Sequence, residues 1–117
     1  MDVPDWTIGI AVLEPDHALV VLRGRIGAAA VADIRRRVDE LLAGGVRFVV
    51  LDLAHVELCA TRMFTVVAQA HRWLRARGGW LRLVAVNPRV AAALDAVELP
   101  ALFTLYREAT REISDVS

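Results

Sequence analysis

The segment Phe48-Val49-Val50-Leu51-Asp52-Leu53 constrains this chain more than any other stretch. A half-buried strand alternates apolar and polar positions. This one is almost continuously apolar, which predicts a strand covered on both faces, the usual state of a parallel strand in an α/β domain. The flanking segments read accordingly. Thr7–Leu13 and Ala18–Leu22 are predicted strands joined by the turn Glu14-Pro15-Asp16-His17, where Pro presets one dihedral and Asp bonds its own backbone. Gly24 and Gly27 bracket a loop. Val31, Ile34, Val38, Leu41 and Leu42 then recur at helical spacing until Gly44-Gly45 stops the helix. Beyond the central strand, Met63, Val67, Ala70 and Leu74 predict a second helix ending at Gly78-Gly79, and Trp80–Val86 another strand. Asn87-Pro88 opens a short helix carrying Val90, Leu94 and Val97. A last strand is expected over Leu102–Tyr106 and a polar terminal helix from Glu108. The order β-β-α-β-α-β-α-β-α predicts one α/β domain over residues 1–117, with a mixed, largely parallel sheet of about five strands and about four helices.

Composition narrows the chemistry. No Lys occurs, so all 14 basic residues are Arg, and a lysine Schiff base or a phosphate-loop lysine is excluded. Serine occurs only at Ser114 and Ser117, so a hydroxyl inside the domain must come from Thr7, Thr61, Thr65, Thr104, Thr110 or Tyr106. The formal net charge of zero argues against nucleic acid as a partner. Arg35, Arg36 and Arg37 lie between Asp33, Asp39 and Glu40, the pattern of a solvated helix face. No uncharged apolar run reaches the roughly 18–20 residues of a membrane span. A cytoplasmic protein is expected, meeting a membrane only indirectly through a partner. Cys59 is the single cysteine, and His17, His55 and His71 are scattered, so neither a disulfide, a metal site nor a cofactor is expected.

Taken together these segments resemble a STAS domain, the fold of the bacterial anti-sigma factor antagonists, from about Ile8 to Glu108. The resemblance is carried by Leu22-Arg23-Gly24, Leu41 to Gly45, Val49-Val50-Leu51-Asp52-Leu53, Arg77-Gly78-Gly79-Trp80-Leu81-Arg82-Leu83, and Asn87-Pro88-Arg89-Val90 through Leu94 and Leu99. In that family an Asp-Ser-Ser/Thr-Gly motif opens the second helix. Its first hydroxyl is phosphorylated by the partner anti-sigma factor, a serine kinase, which breaks the complex between them. The motif positions here are Ala60, Thr61, Arg62 and Met63, so Thr61 alone keeps a hydroxyl, at the phosphoacceptor position. The acidic residue, the apolar residue and the Asp that usually follow L-x-G are Arg25, Ile26 and Gly27 here.

The resemblance implies a non-catalytic protein–protein interaction module, with an anti-sigma factor or serine kinase-type protein as partner. Its docking surface would contain Arg25, Cys59, Ala60, Arg62 and Met63 around the phosphoacceptor candidate Thr61. Read by itself, Thr61 at a helix start is first an N-cap. Two other readings stay open: a STAS-type accessory subunit of a lipid-transport ATPase, or a small-ligand or nucleotide sensor using the helix N-terminus as an anion seat. An enzyme has little to build on. Asp52 ends a buried strand but lacks a second carboxylate, and it is expected to bond loop amides. Cys59 is expected in the loop before the helix as a buried, inert thiol, and His71 is expected to pack rather than ligate. Trp73 and Trp80 flank the Gly78-Gly79 turn as core edges or as an anchor for a partner. The oligomeric state, a dimer included, is left open by the sequence.

Overall fold

The computed structural model describes residues 5–84 and 88–95. Four strands, β1 (Trp6–Glu14), β2 (His17–Ile26), β3 (Phe48–Cys59) and β4 (Trp80–Val84), form one sheet in the order β1-β2-β3-β4. The expected hairpin is present: β1 runs antiparallel to β2, while β2–β3 and β3–β4 are parallel. Helices α1 (Ala28–Ala43) and α2 (Thr61–Ala76) form the crossovers, and α3 (Pro88–Asp95) follows β4. The strand expected at Leu102–Tyr106 and the helix expected from Glu108 lie outside the described residues.

The sheet buries alternate positions against the helices. Ala18, Val20 and Leu22 of β2, Val49, Leu51 and Leu53 of β3, and Leu81 and Leu83 of β4 share one core with Ile34 of α1, Phe64, Val67 and Leu74 of α2, and Val90 of α3. Ile34, Leu22 and Leu74 are wholly buried, and each fully buried aliphatic side chain contributes roughly 1.5–3 kcal/mol. The stripe predicted for the second helix is therefore its packing face, as the spacing requires.

Two strands run well beyond their predicted ends. β2 continues through Gly24 to Ile26, and β3 continues past Leu53 to Cys59. Beyond Asp52, β3 has no β4 partner among the described residues, and its apolar run accordingly gives way to mixed positions. The β2–β3 register slips twice, between Val21 and Arg23 and between Gly24 and Arg25. At the first slip the Asp52 carboxylate accepts the Ala54 N–H at 2.9 Å. Asp52 is thus structural, bonding an amide of its own strand rather than one in a loop.

The amino-terminal ends of the parallel strands are locked. The Asp16 carbonyl accepts the Arg47 and Phe48 amides at 2.9 and 3.0 Å, which fastens the hairpin turn to β3. The Asp16 carboxylate bonds His17 Nδ1 at 2.9 Å and Arg47 at 3.4 Å. The His17 bond holds this carboxyl below its ordinary value. His17, Phe48 and Trp80 form an aromatic row across three strands, with centroids 4.6 and 5.2 Å apart. The Arg82 guanidinium lies 4.2 Å from the Trp80 ring centre, and that of Arg77 3.4 Å from Trp73. Both tryptophans are therefore half-buried edges of the domain with an arginine laid against them. His71 accepts the Leu81 N–H at 3.3 Å, tying α2 to β4.

Candidate functional site

The carboxyl ends of β2 and β3 lie side by side, with Arg25 opposite Leu58 and Ile26 opposite Cys59. Each strand leads directly into a helix, so the first turns of α1 and α2 open on the same edge of the sheet, the usual place for sites in parallel α/β folds. One backbone bond joins the two connections: Ala60 N–H donates to the Ile26 carbonyl at 2.7 Å. The sequence-predicted residues Arg25, Cys59, Ala60, Thr61 and Arg62 converge on this edge, although Arg25 is far from the others in sequence.

Gly24 makes the approach of β2 possible. Its φ is +90°, and a Cβ there would overlap the Asp5 carbonyl. The same carbonyl accepts the Arg25 N–H at 2.8 Å. The glycine of Leu22-Arg23-Gly24 thus permits a close backbone contact that sets the direction of Arg25.

The second register slip decides which side chains reach solvent. Gly24 faces Val56 and Arg25 faces Leu58, so Glu57 is the extra residue of a bulge. Such a bulge shifts the side-chain phase by one and re-aims the residues beyond it. Val56 is buried, whereas Leu58, two residues on, is 64% exposed. Glu57 and Arg25 lie beside it, 3.9 Å apart and both well exposed, a pairing of little energetic weight. Sequence reasoning missed Leu58. Its only sequence signal is an apolar residue at a strand end, and that does not distinguish it from core.

Two site expectations are corrected. Thr61 is not the helix cap. Ala60, with extended φ −63° and ψ 142°, occupies that position, and its methyl gives no side-chain cap bond. Thr61 is the first helical residue and is exposed. The cap falls one residue earlier because Ala60 is held extended by its bond to Ile26. Met63, expected on the docking surface, is instead 2% exposed and belongs to the core stripe with Val67, Ala70 and Leu74. Arg62 is exposed.

Cys59 is the last residue of β3 and not a loop residue, half-buried beneath this edge. Burial pushes its thiol up to about 12, from 9.0. The folded chain thus holds the neutral thiol, and the linked stability is complete below pH 9 and lost as pH rises toward 12. At pH 8 the thiolate fraction is therefore far below that of an unfolded chain. Alkylation by iodoacetamide is therefore expected to be slow in native buffer and rapid in urea. Equal rates would contradict this burial.

The helix ends at this edge are electropositive. Neither α1 nor α2 carries an acidic residue in its first turn, and neither has a side-chain cap. The initial amides of both helices and their dipoles consequently face outward, with Arg25 and Arg62 nearby. Among the described residues, the only group of three or more metal-capable side chains is Glu14, Asp16 and His17. It lies at the opposite end of β2, engaged in the hairpin lock. His55 is exposed, on β3.

The model of the family described as STAS domain matches residues 10–110. No curated protein matches by sequence. Among solved structures, the anti-sigma factor antagonist SpoIIAA in its unphosphorylated form is similar at a TM-score of 0.71 and 18% identity, over 76% of this chain and 78% of that one. Bacillus SpoIIAA in the phosphorylated form is similar at 0.67 and 17%, over 76% and 81%. An anti-sigma factor antagonist from Mycobacterium paratuberculosis is similar at 0.69 and 16%, over 91% and 99%.

Proposed function

The chain belongs to the STAS domain family, and from that premise we propose that it is a non-catalytic docking module of the anti-sigma factor antagonist kind, switched by phosphorylation of Thr61. Arg25, Leu58, Ala60, Thr61 and Arg62 form the docking surface, underlain by Cys59. The partner is an anti-sigma factor with serine/threonine kinase activity, met in the cytoplasm. No described helix is long and apolar enough to cross a membrane.

The observation that carries this reading is the state of Thr61. Its position is the first of a helix whose cap is another residue, and its side chain stands exposed three residues after the exposed Leu58. A kinase can reach such a hydroxyl. A phosphate placed there adds close to two negative charges at the centre of the surface, next to the helix amides and Arg62. An apolar knob ringed by charged residues has the make-up of a compact protein interface. Incubation with the cognate kinase and ATP is expected to add one phosphate, mapped by mass spectrometry to Thr61 and absent from Thr61→Ala. A chain that takes no phosphate, or takes it elsewhere, would refute the switch. Copurification with a membrane ATPase instead of an anti-sigma factor would replace the partner.

A further inference from the structure

Among the described residues, the large exposed hydrophobic side chains lie at two places: Leu58 at the proposed docking edge, and Val12 and Leu13, 58% and 68% exposed, on β1. Among the described residues β1 is the outer strand, paired only with β2. Alternate backbone N–H and C=O groups on its far side therefore face away from the sheet. Natural edge strands are ordinarily blunted by charges, proline, short length or bulges. Here Trp6–Leu13 contains no charged residue and no proline, and the one irregularity falls at its end, between Val12 and Glu14. Beside the strand, on the helix side, lies a groove of about 430 Å³ lined by Ile10, Val12, Leu41, Val46, Arg37 and Glu40 among others.

We propose that this edge is a homodimer interface: β1 of one copy pairs antiparallel with β1 of a second copy about a two-fold axis at Gly9. Two four-stranded sheets then become one continuous sheet. The second copy is favoured because the strand is complementary to itself. Side chains alternate with period two, so a two-fold axis passing through a residue keeps each face in register. Trp6, Ile8 and Ile10 are partly buried on the helix side, the side on which their β2 partners Leu22 and Val20 enter the core. Pairing centred on Gly9 sets Ile8 against Ile10 of the second copy, and Trp6 against Val12 of the second copy. Each indole thereby comes to the groove beside Val12, once on each side of the axis.

On the other face Thr7 meets Ala11 of the second copy and Gly9 meets its own equivalent. These are small residues that let two backbones close. Asp5 falls opposite Leu13, so no carboxylate opposes another. A specific interface needs roughly 800 Å² from each partner, more than a bare strand pair supplies, and the two grooves, where Ile10, Val12, Leu41 and Val46 meet Arg37 and Glu40, add contact area of mixed polarity to the backbone bonds. Each copy uses its β1 edge once, so the assembly closes as a dimer and does not propagate into a fibre.

Sedimentation equilibrium of the full chain is expected to give twice the 12.8 kDa monomer mass. Val12→Lys, a change at a mostly exposed position, is expected to weaken the dimer at least tenfold while leaving the far-UV circular dichroism unchanged. Gly9→Cys reports the register directly, because a Cβ at Gly9 meets nothing within 4 Å. Facing its own equivalent, it is expected to form a covalent dimer on mild oxidation, whereas Thr7→Cys is not. A wild-type chain that stays monomeric would overturn the proposal. So would a dimer indifferent to Val12→Lys, or cross-linking through Thr7→Cys in place of Gly9→Cys.

Discussion

Thr61→Asp is expected to weaken capture of the anti-sigma partner by about a hundredfold or more, whereas Thr61→Ala leaves it within roughly threefold. A fixed negative charge at the centre of a docking surface must be desolvated or opposed, and mispaired interfacial charges cost several kcal/mol. Removing the hydroxyl deletes no cap, because Ala60 holds that position, so the fold does not feel the change. Isothermal calorimetry with the partner separates the two variants, and thermal unfolding serves as the stability control. If Thr61 were the cap, both variants would shift stability and the alanine form would fall by about 1 kcal/mol. Equal binding by both would refute the switch. Leu58→Ala is the companion variant. A knob that is 64% exposed contributes little to the fold, so a loss of binding there reports the interface itself.

Gly24→Ala carries the other large effect, on the fold and the site together. A left-handed backbone costs a non-glycine residue roughly 1–2 kcal/mol, and overlap of the new Cβ with the Asp5 carbonyl adds to it, for a total of at least about 3 kcal/mol. Gly45→Ala provides the control. Gly45 has a similar φ of +96°, but its Cβ would enter open space, so only the conformational cost of about 1–2 kcal/mol remains. Urea unfolding should rank them in that order. Because the Asp5 carbonyl also holds the Arg25 amide, the Gly24 variant is expected to lose partner affinity beyond what its unfolded fraction explains. Comparable destabilisation by the two changes would mean that the close contact with Asp5 is not what Gly24 serves.

The periodicities of the chain made most of the fold legible. The apolar run Phe48–Leu53 marked the strand flanked on both sides, and the helical stripes marked the core faces of α1 and α2. Legibility ended where the determinants are non-local. β3 beyond Leu53 carries no strand signal because, with β2 alone beside it there, its apolar run gives way to mixed polar positions. The cap at Ala60 follows from a bond to Ile26, which no local pattern encodes. Leu58 reaches solvent because of a bulge defined by pairing with β2. The docking residues around Thr61 were legible because they adjoin it in sequence. Met63 was misplaced because a motif position and a stripe position coincide there, and burial favoured the stripe.

The spatial order of the sheet, β1-β2-β3-β4, repeats the order of synthesis. Each described strand, as it is made, finds its neighbour already in place, and none of these four has to be threaded between two earlier ones. Folding of these strands can therefore proceed vectorially from the amino terminus, beginning with the tight hairpin of β1 and β2 and continuing through the helix crossovers to β3 and β4. The proposed docking residues Arg25, Leu58, Thr61 and Arg62 all lie within β2, β3 and α2. A nascent chain that has emerged through Ala76 therefore carries every residue of the proposed recognition surface before β4 leaves the ribosome.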